Sequence, residues 1–365
     1  MEAKGILVAR LLNLLYHNAR YTASELSQKL GLSYYETLKL IEECEKNYGL
    51  AYVTNVDPSR LGFTGSKVVA IKFGKRPSIN TIKREFCDDV FVQAAYLCKG
   101  GFDLLLYVVG TNEGEYGRWE WTLRALISKY KAVIFSSSVD WLLIGFLPLS
   151  TEMIKISKEL SDREKRVLTI LNENARIKIK GISDKTGLSH FQVVNTIEKL
   201  KKKKIIQFFS ALVQKPEKNV NTATFFQFLS PSPKHLAYLK KIIEVLLKEN
   251  FSGPTSDYAI LYDLTGQFDM LAICNYRNWD DNFKRGSALW VKLCKDENII
   301  TKEATLVELI KGKWPFHADR YEYHKYLSRT INKTENIYKK MRDYLKAGKS
   351  SNEVLWERDP WDFSD

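Results

Sequence analysis

Residues 160–206 read LSDREKRVLTILNENARIKIKGISDKTGLSHFQVVNTIEKLKKKKII and carry the clearest indication of a fold in the chain. Ser161 with Glu164 three residues later is the pattern of a capping box, which begins a helix, and apolar residues then recur at helical spacing. A short second helix ends at Gly187, a residue that can adopt the positive φ of a tight turn. Ser189 begins a third helix. The stretch therefore predicts a helix-turn-helix.

An internal repeat extends this prediction to the whole chain. A shift of the sequence along itself by 156 residues superimposes Asn18–Arg20 on Asn174–Arg176 and Gly31–Ser33 on Gly187–Ser189, and a shift of 166 residues superimposes Gly101–Asp103 on Gln267–Asp269. Repeats of this kind indicate one structural unit used twice. The predicted domains are a helix-turn-helix over 1–58, a ferredoxin-like domain over 59–149, a second helix-turn-helix over 159–215, a second ferredoxin-like domain over 216–312 and a tail over 313–365.

The part of each unit that follows the helices alternates strands with helices. Leu50–Val56 and Ile205–Val213 are predicted as first strands, and the segments after them follow the order β-α-β-β-α-β. This order is typical of a four-stranded antiparallel sheet with both helices on one face. The fold class is therefore α+β: a tandem repeat of a winged or helix-turn-helix domain plus a ferredoxin-like sensing domain, with a helical C-terminal tail. The other sheet face is left bare and needs a cover.

Three stretches resemble the Lrp/AsnC, or feast-famine, family of transcription regulators. They are the helix-turn-helix at 160–206, the loop DPSRLGF at 57–63, and the turn Gly-x-Phe-Asp, which occurs at Gly100–Asp103 and at Gly266–Asp269. The resemblance covers about 310 residues of the chain. It implies sheets that dimerise face to face and an amino acid or similar effector bound near the Gly-x-Phe-Asp turns. The candidate effector residues are thus Gly100, Gly101, Phe102, Asp103, Gly266, Gln267, Phe268 and Asp269.

The sequence also departs from the family. Members normally carry one unit per chain, so this chain resembles a dimer fused into one polypeptide. The DPSRLGF loop is present only in the first unit, where the second has KPEKNVN, and the tail beyond Gly312 is outside the family pattern. The end of the tail mixes acidic residues with Trp356, Trp361 and Phe363, which predicts a disordered segment that could dock on a protein partner.

The two helix-turn-helix segments differ in charge. Residues 159–215 carry 13 basic and 6 acidic side chains. The outward positions of the third helix bear amides and hydroxyls that can read base edges, and lysines follow that can bind phosphates. The residues predicted to contact DNA are Lys178, Lys180, Ser189, His190, Gln192, Asn195, Thr196, Lys199, Lys201, Lys202, Lys203 and Lys204.

The first helix-turn-helix is acidic, with 6 basic and 7 acidic side chains over residues 1–58. Its third helix is expected to present Glu36, Glu42, Glu43 and Glu45, which phosphates would repel. We therefore expect DNA to be read mainly by the second helix-turn-helix, and a homodimer to be needed for two basic helices to meet successive major grooves about 34 Å apart. The first unit is expected to be a scaffold or a protein-binding surface.

The composition and the motifs of the sequence exclude several classes of function. The net charge of +13 favours a polyanionic partner. The five cysteines are scattered without metal-ligand spacing, so neither disulfides nor structural zinc are expected. No apolar run is long enough to span a bilayer, and the N-terminus lacks the apolar region of a signal peptide, so a cytoplasmic location without membrane contact is expected. No phosphate-binding loop, dinucleotide fingerprint or catalytic triad is visible. The expectation is accordingly a non-enzyme without cofactor or metal.

Two other functions stay open at this stage. A protein-interaction or chromatin-architectural factor would use the acidic first unit and the tail. Siroheme decarboxylases resemble the same family in fold, and such an enzyme would need His and Arg inside the sensing domains to hold a tetrapyrrole. The predicted sheets contain no histidine, and the lysine-rich third helix would have no purpose in that role.

Overall fold

A computed structural model describes residues 2–63, 65–110, 113–144, 147–214, 220–229, 256–276 and 299–315. The α-helices are α1 (Glu2–His17), α2 (Ala23–Leu30), α3 (Tyr34–Tyr48), α4 (Ile79–Ile82), α5 (Glu113–Tyr130), α6 (Thr151–Ile156), α7 (Asp162–Glu173), α8 (Ile179–Thr186) and α9 (His190–Lys202). The strands are β1 (Leu50–Val56), β2 (Gly65–Lys72), β3 (Val92–Gly100), β4 (Leu104–Gly110), β5 (Val133–Ile144), β6 (Ile206–Val213), β7 (Val220–Phe228), β8 (Ser256–Gly266), β9 (Met270–Tyr276) and β10 (Ile299–Lys311). No helix in these ranges is long and apolar enough to cross a membrane.

The capped helices α3 and α7 begin where the sequence predicts them, but α1 begins at Glu2, whereas the sequence pattern predicts a helix over Leu11–Asn18. Ser161 and Glu164 form the expected capping box at the start of α7, and the serine that precedes α3 does the same with Glu36. Each box satisfies backbone N–H groups that have no partner within the first turn. Gly31 and Gly187 end α2 and α8 with φ near +68° and +69°, the left-handed conformation in which glycine carries no steric cost.

The two helical parts of the chain are bound to each other by an antiparallel pair of strands. β1 pairs with β6 from Leu50–Val213 to Val56–Ile206, with a register shift next to Val56. Each strand also accepts a hydrogen bond from the loop of the other helical part: Ala19 N donates to Phe209 O at 2.9 Å, and Ala175 N donates to Tyr52 O at 3.0 Å. The pairing therefore orients both helical parts relative to one another.

The repeated triplet Asn-Ala-Arg completes this contact reciprocally. Arg20 Nη1 donates to the carbonyl oxygens of Ala175 and Ile177 at 2.7 and 3.3 Å, and Arg176 Nη1 donates to those of Ala19 and Tyr21 at 2.8 and 3.1 Å. Each guanidinium also lies over an aromatic ring, Phe209 for Arg20 and Tyr52 for Arg176. Burial, together with the nearby Arg176 charge, lowers the pKa of Arg20.

The other strands form one closed sheet in the order β10-β3-β4-β2-β5-β8-β9-β7, with β7 pairing back to β10. Strands from the two halves of the sequence meet at two edges, where β3 pairs with β10 and β5 pairs with β8, both antiparallel. The strand orders β3-β4-β2-β5 and β8-β9-β7-β10 are the same when read along each half.

Alternation along the strands separates two apolar layers. Val68 and Ala70 of β2 belong to a core that also contains Phe225 and Phe268 from the other half of the chain. Val69 and Ile71 instead join a second core with Phe86, Trp119 and Leu123 beneath α4 and α5. The sheet face that the sequence leaves bare is thus enclosed by the closed sheet itself.

The structure differs from the expected elements in a few places. The first helix of the β-α-β-β-α-β order, which the sequence predicts over residues 79–86 in the first unit, is a single α-turn, Ile79–Ile82, that continues as a π-helical turn, Lys83–Cys87. The connection between the halves carries a short helix, α6, that the sequence pattern did not indicate. The same order predicts helices over 233–249 and 279–296 in the second unit, and these ranges lie outside the described residues, as does the tail beyond residue 315.

Candidate nucleic-acid interface

α9 is the third helix of the basic helix-turn-helix, and its first turn is held by a capping box. Ser189 N donates to Gln192 Oε1 at 2.9 Å, and Gln192 N donates to Ser189 Oγ at 3.2 Å. Both side chains therefore already have partners within the helix. Val193, Ile197 and Leu200 are buried against the rest of the domain, as their spacing predicts.

Exposure divides the residues predicted to contact DNA. His190, Asn195 and Lys202 are exposed on α9, and Lys178 and Lys180 are exposed at the start of α8. Thr196 was expected to face outward, and this prediction is wrong: the residue is only 4% exposed, and its hydroxyl donates to Gln192 O at 2.7 Å. A threonine hydroxyl can donate a hydrogen bond to a backbone carbonyl on the preceding turn of its own helix. Threonine can therefore be buried on the apolar face of that helix.

Two of the lysines of this helix are drawn back toward α7. Lys203 Nζ and Lys199 Nζ lie 2.9 and 3.3 Å from Glu164 Oε1, whose side chain is only 3% exposed. Burial by itself would raise the pKa of Glu164, but the hydrogen bonds from Lys203, Ser161 and Lys199 outweigh it and lower the pKa to about 2. One buried carboxylate at the start of α7 thus holds the C-terminal end of α9.

The other lysines at the end of α9 have looser surroundings. Lys201 Nζ lies 3.0 Å from Glu198 Oε1. Ion pairs between exposed side chains contribute little to the stability of a protein. Lys204 follows the helix with φ near +56°. Neither Lys202 nor Lys204 has a carboxylate partner within the described part of the chain. The Lys202 and Lys204 side chains can therefore approach a phosphate backbone without first breaking an ion pair.

The first turn of α9 carries an exposed aromatic residue that is not among the residues predicted to contact DNA. Phe191 is 73% exposed, between His190 and the capping residue Gln192. The residue at the same place in α3, Tyr35, is 81% exposed. Both helices turn this position outward. Repeat alignment is the signal that could have found them, because Tyr35 and Phe191 match.

α3 carries the acidic counterpart of this surface. Glu36 accepts hydrogen bonds from Ser33 in the capping box, and Tyr52 Oη donates to Glu45 Oε1 at 2.7 Å. Glu42 is exposed and Glu43 half-buried. Glu36 and Glu45 are thus engaged in local hydrogen bonds although both are exposed, and Glu42, Tyr34 and Tyr35 are exposed on the same helix.

The Gly-x-Phe-Asp turns lie at the two edges where strands of the two halves meet. Gly101 N donates to Glu303 O at 2.8 Å, and a Cβ at Gly101 would stand 2.7 Å from that same oxygen. At the other edge Gly266 has φ near +136°, and a Cβ there would meet the backbone of Ser136 and Ser137 at 3.3 Å. Glycine is required because another strand passes directly over each turn.

The other members of these turns have structural partners. Phe102 and Phe268 are buried in the core, where both rings pack on Phe225 at centroid distances of 5.5 and 4.8 Å. Asp103 Oδ2 accepts from Phe73 N at 2.9 Å, and its Oδ1 lies 3.1 Å from Lys72 Nζ. Asp269 N donates to Phe226 O. Gln267 is exposed. An effector role for these turns stays a prediction. Structural contacts already explain most residues of the Gly-x-Phe-Asp motif.

The packing at Gly101 gives a first expected result. Gly101→Ala should lower the free energy of unfolding by about 2 kcal/mol, because a methyl group cannot fit beside Glu303 O without moving β10. Urea titration measures it. Gly117→Ala is the matched control: no atom lies within 4 Å of a Cβ there, and the residue is inside α5, so it should stabilise by about 0.5–1 kcal/mol. Equal midpoints for Gly101→Ala and the unsubstituted protein would contradict the close approach.

The chain after β10 returns to the helical part. Trp314 packs on Tyr96 with a centroid distance of 5.3 Å, and its backbone exchanges two hydrogen bonds with the Gln214 amide, at 2.8 and 2.9 Å. Lys313 Nζ donates to Asn172 O of α7 at 3.2 Å. The first residues assigned to the tail therefore belong to the packed body.

Comparison with known proteins gives two kinds of match. No family model matches the chain. An uncharacterised HTH-type transcriptional regulator of Pyrococcus furiosus is 23% identical over 123 residues, which are 34% of this chain and 76% of the relative. An AsnC family transcriptional regulator of Agrobacterium tumefaciens matches in structure with 22% identity and a TM-score of 0.32, over 37% of this chain and 89% of its own.

A solved structure that matches nearly the whole chain is the siroheme decarboxylase NirDL. It shares 13% identity with a TM-score of 0.56, over 90% of this chain and 99% of its own. Its complex with an iron-uroporphyrin III analogue matches with a TM-score of 0.54 and 13% identity, over 88% and 97% of the two chains. The expectation of a non-enzyme is wrong, because the structure that accounts for nine-tenths of the chain is that of an enzyme. The chain thus has the fold of a siroheme decarboxylase and, over a third of its length, weak sequence similarity to a transcription regulator.

Proposed function

We propose that the protein is a double-stranded DNA-binding transcription regulator of Lrp/AsnC type that reads DNA mainly through α7–α9. The observation that carries this proposal is the exposed surface of α9, which carries His190 at its first residue, Asn195 near its middle and Lys202 at its last residue. A helix that carries both base-reading side chains and cations can bind in a major groove, because the base edges there lie between two phosphate backbones. Lys178 and Lys180, exposed at the start of α8, extend the cationic surface.

We further propose that the chain is a fused pair of regulator units. The reciprocal hydrogen bonds of Arg20 and Arg176 and the pairing of β1 with β6 support this, because equivalent groups exchange equivalent contacts. Contacts of this kind are the mark of a two-fold interface. Because α3 is acidic, one chain presents a single basic helix-turn-helix to DNA. A homodimer would present two, and a small effector would act through the closed sheet.

DNA binding can be tested on the full chain by fluorescence anisotropy. Duplexes selected from a random library should bind more tightly than the unselected pool, and the affinity should fall as salt rises because counterions are released. Asn195→Ala should relax sequence preference, with a loss of about tenfold or more on the selected site and little change on random DNA, because an asparagine amide can bond two atoms of adenine. An equal loss on both DNAs would contradict base reading by Asn195.

A second candidate function is favoured by the fold comparison. NirDL is a siroheme decarboxylase, and this chain has its fold. An activity of that class would require the chain to bind an iron tetrapyrrole as its substrate. Titration of the purified protein with iron uroporphyrin, followed by its absorption near the Soret band, tests this directly. Saturable binding together with the absence of DNA binding would favour the enzyme. DNA binding without a spectral change would favour the regulator.

A further inference from the structure

The structure narrows the side chains of α9 that can reach a base. Ser189 and Gln192 bond to each other in the capping box, and Thr196 is buried. Lys199 and Lys203 are held by Glu164. The exposed groups that remain toward the helix N-terminus are His190, Phe191 and Asn195. In a helix-turn-helix it is the N-terminal part of the recognition helix that meets base edges.

Phe191 is unusual among these groups because it can form no hydrogen bond. A single exposed apolar side chain is common on protein surfaces and has no meaning by itself. Here, however, the ring stands one turn before Asn195 and therefore on the same face of α9. Its neighbours in sequence, His190 and Gln192, are polar. An aromatic ring in that setting can gain free energy from a DNA groove only where the groove itself is apolar.

The major groove has one apolar feature, the C5 methyl group of thymine. We infer that Phe191 packs against a thymine methyl and makes the protein prefer thymine at one position of its site, next to the base read by Asn195. The inference rests on the proposed DNA-binding function and adds a residue that determines specificity. The partner is thus duplex DNA with a thymine in the groove that α9 enters.

The test removes the methyl group rather than the base pair. From a duplex selected by the unsubstituted protein, each thymine is replaced in turn by deoxyuridine, which pairs in the same way but lacks the C5 methyl. At one position we expect affinity to fall about fourfold, because burial of one methyl-sized group contributes about 0.8 kcal/mol and 1.4 kcal/mol corresponds to tenfold. Phe191→Ala should bind the thymine and uridine duplexes equally at that position.

Tyr35→Ala is the matched control, since Tyr35 occupies the same place in the acidic α3 and is exposed as well. It should leave the thymine preference intact. Both substitutions are at exposed positions, so thermal melting should not change. If the unsubstituted protein discriminates thymine from uridine and Phe191→Ala still does so, the inference is wrong while the proposed function stands. If the same protein shows no sensitivity to uridine at any position, the inference is wrong as well. If it binds no duplex, the proposed function itself fails.

Discussion

Lys201→Glu combined with Lys202→Glu is expected to weaken binding to all DNA sequences by about a hundredfold at physiological salt. Both lysines lie in the last turn of α9, where the chain leaves the proposed groove. Each lysine that neutralises a phosphate releases a counterion, with a contribution to the salt slope of about 0.9, and a carboxylate in its place adds repulsion. Loss of two contacts should therefore reduce the slope of log affinity against log salt by about 1.8.

The control for this change comes from the acidic half of the chain. Lys46 occupies in α3 the place that Lys202 occupies in α9, and the residue before it, Glu45, is already acidic. Lys46→Glu should leave DNA affinity unchanged if α3 stands away from phosphates. Anisotropy titrations at several salt concentrations measure both variants. An unchanged salt slope for the double substitution would show that the end of α9 does not contact DNA phosphates.

Glu164→Gln is expected to act in opposite directions on stability and on DNA binding. Glu164 accepts from Ser161 in the capping box and from Lys199 and Lys203. The neutral amide keeps the shape but loses the charge, so unfolding of the second helix-turn-helix should become easier by about 2 kcal/mol. Released from Glu164, the two lysines can turn to phosphates, and affinity should rise several-fold with a steeper salt slope. Unchanged affinity would show that both lysines lie away from the DNA.

The pH dependence of stability checks the same contact. The pKa of Glu164 is about 2 in the folded chain, below the ordinary value of 4.5. A carboxylate whose pKa is lowered by folding stabilises the protein fully above its unfolded pKa, and the contribution is lost as the pH falls toward the folded value. The difference in unfolding free energy between the unsubstituted protein and Glu164→Gln should therefore be largest above pH 4.5 and shrink toward pH 2. Urea titrations at pH 7, 4 and 3 measure this difference, and a constant difference would contradict the low pKa.

Local elements could be predicted because their causes lie within a few residues. Ser161 with Glu164 determines where α7 begins, and Gly187 determines where α8 ends, since each acts on the backbone next to it. The bounds of β1 agree with the predicted Leu50–Val56. The candidate interface was only partly predictable. Spacing placed Asn195 outside correctly, but it also placed Thr196 there and overlooked Phe191.

The sequence by itself determined the capped helices, the strands with their apolar alternation, and the excess of basic residues in the second helix-turn-helix. All of these depend on neighbours along the chain or on composition. Only the tertiary structure decided that β3 meets β10 and β5 meets β8, and that Glu164 holds Lys199 and Lys203. These contacts join residues far apart in sequence. Their geometry depends on how whole elements pack, and that packing decides which charges and rings remain exposed.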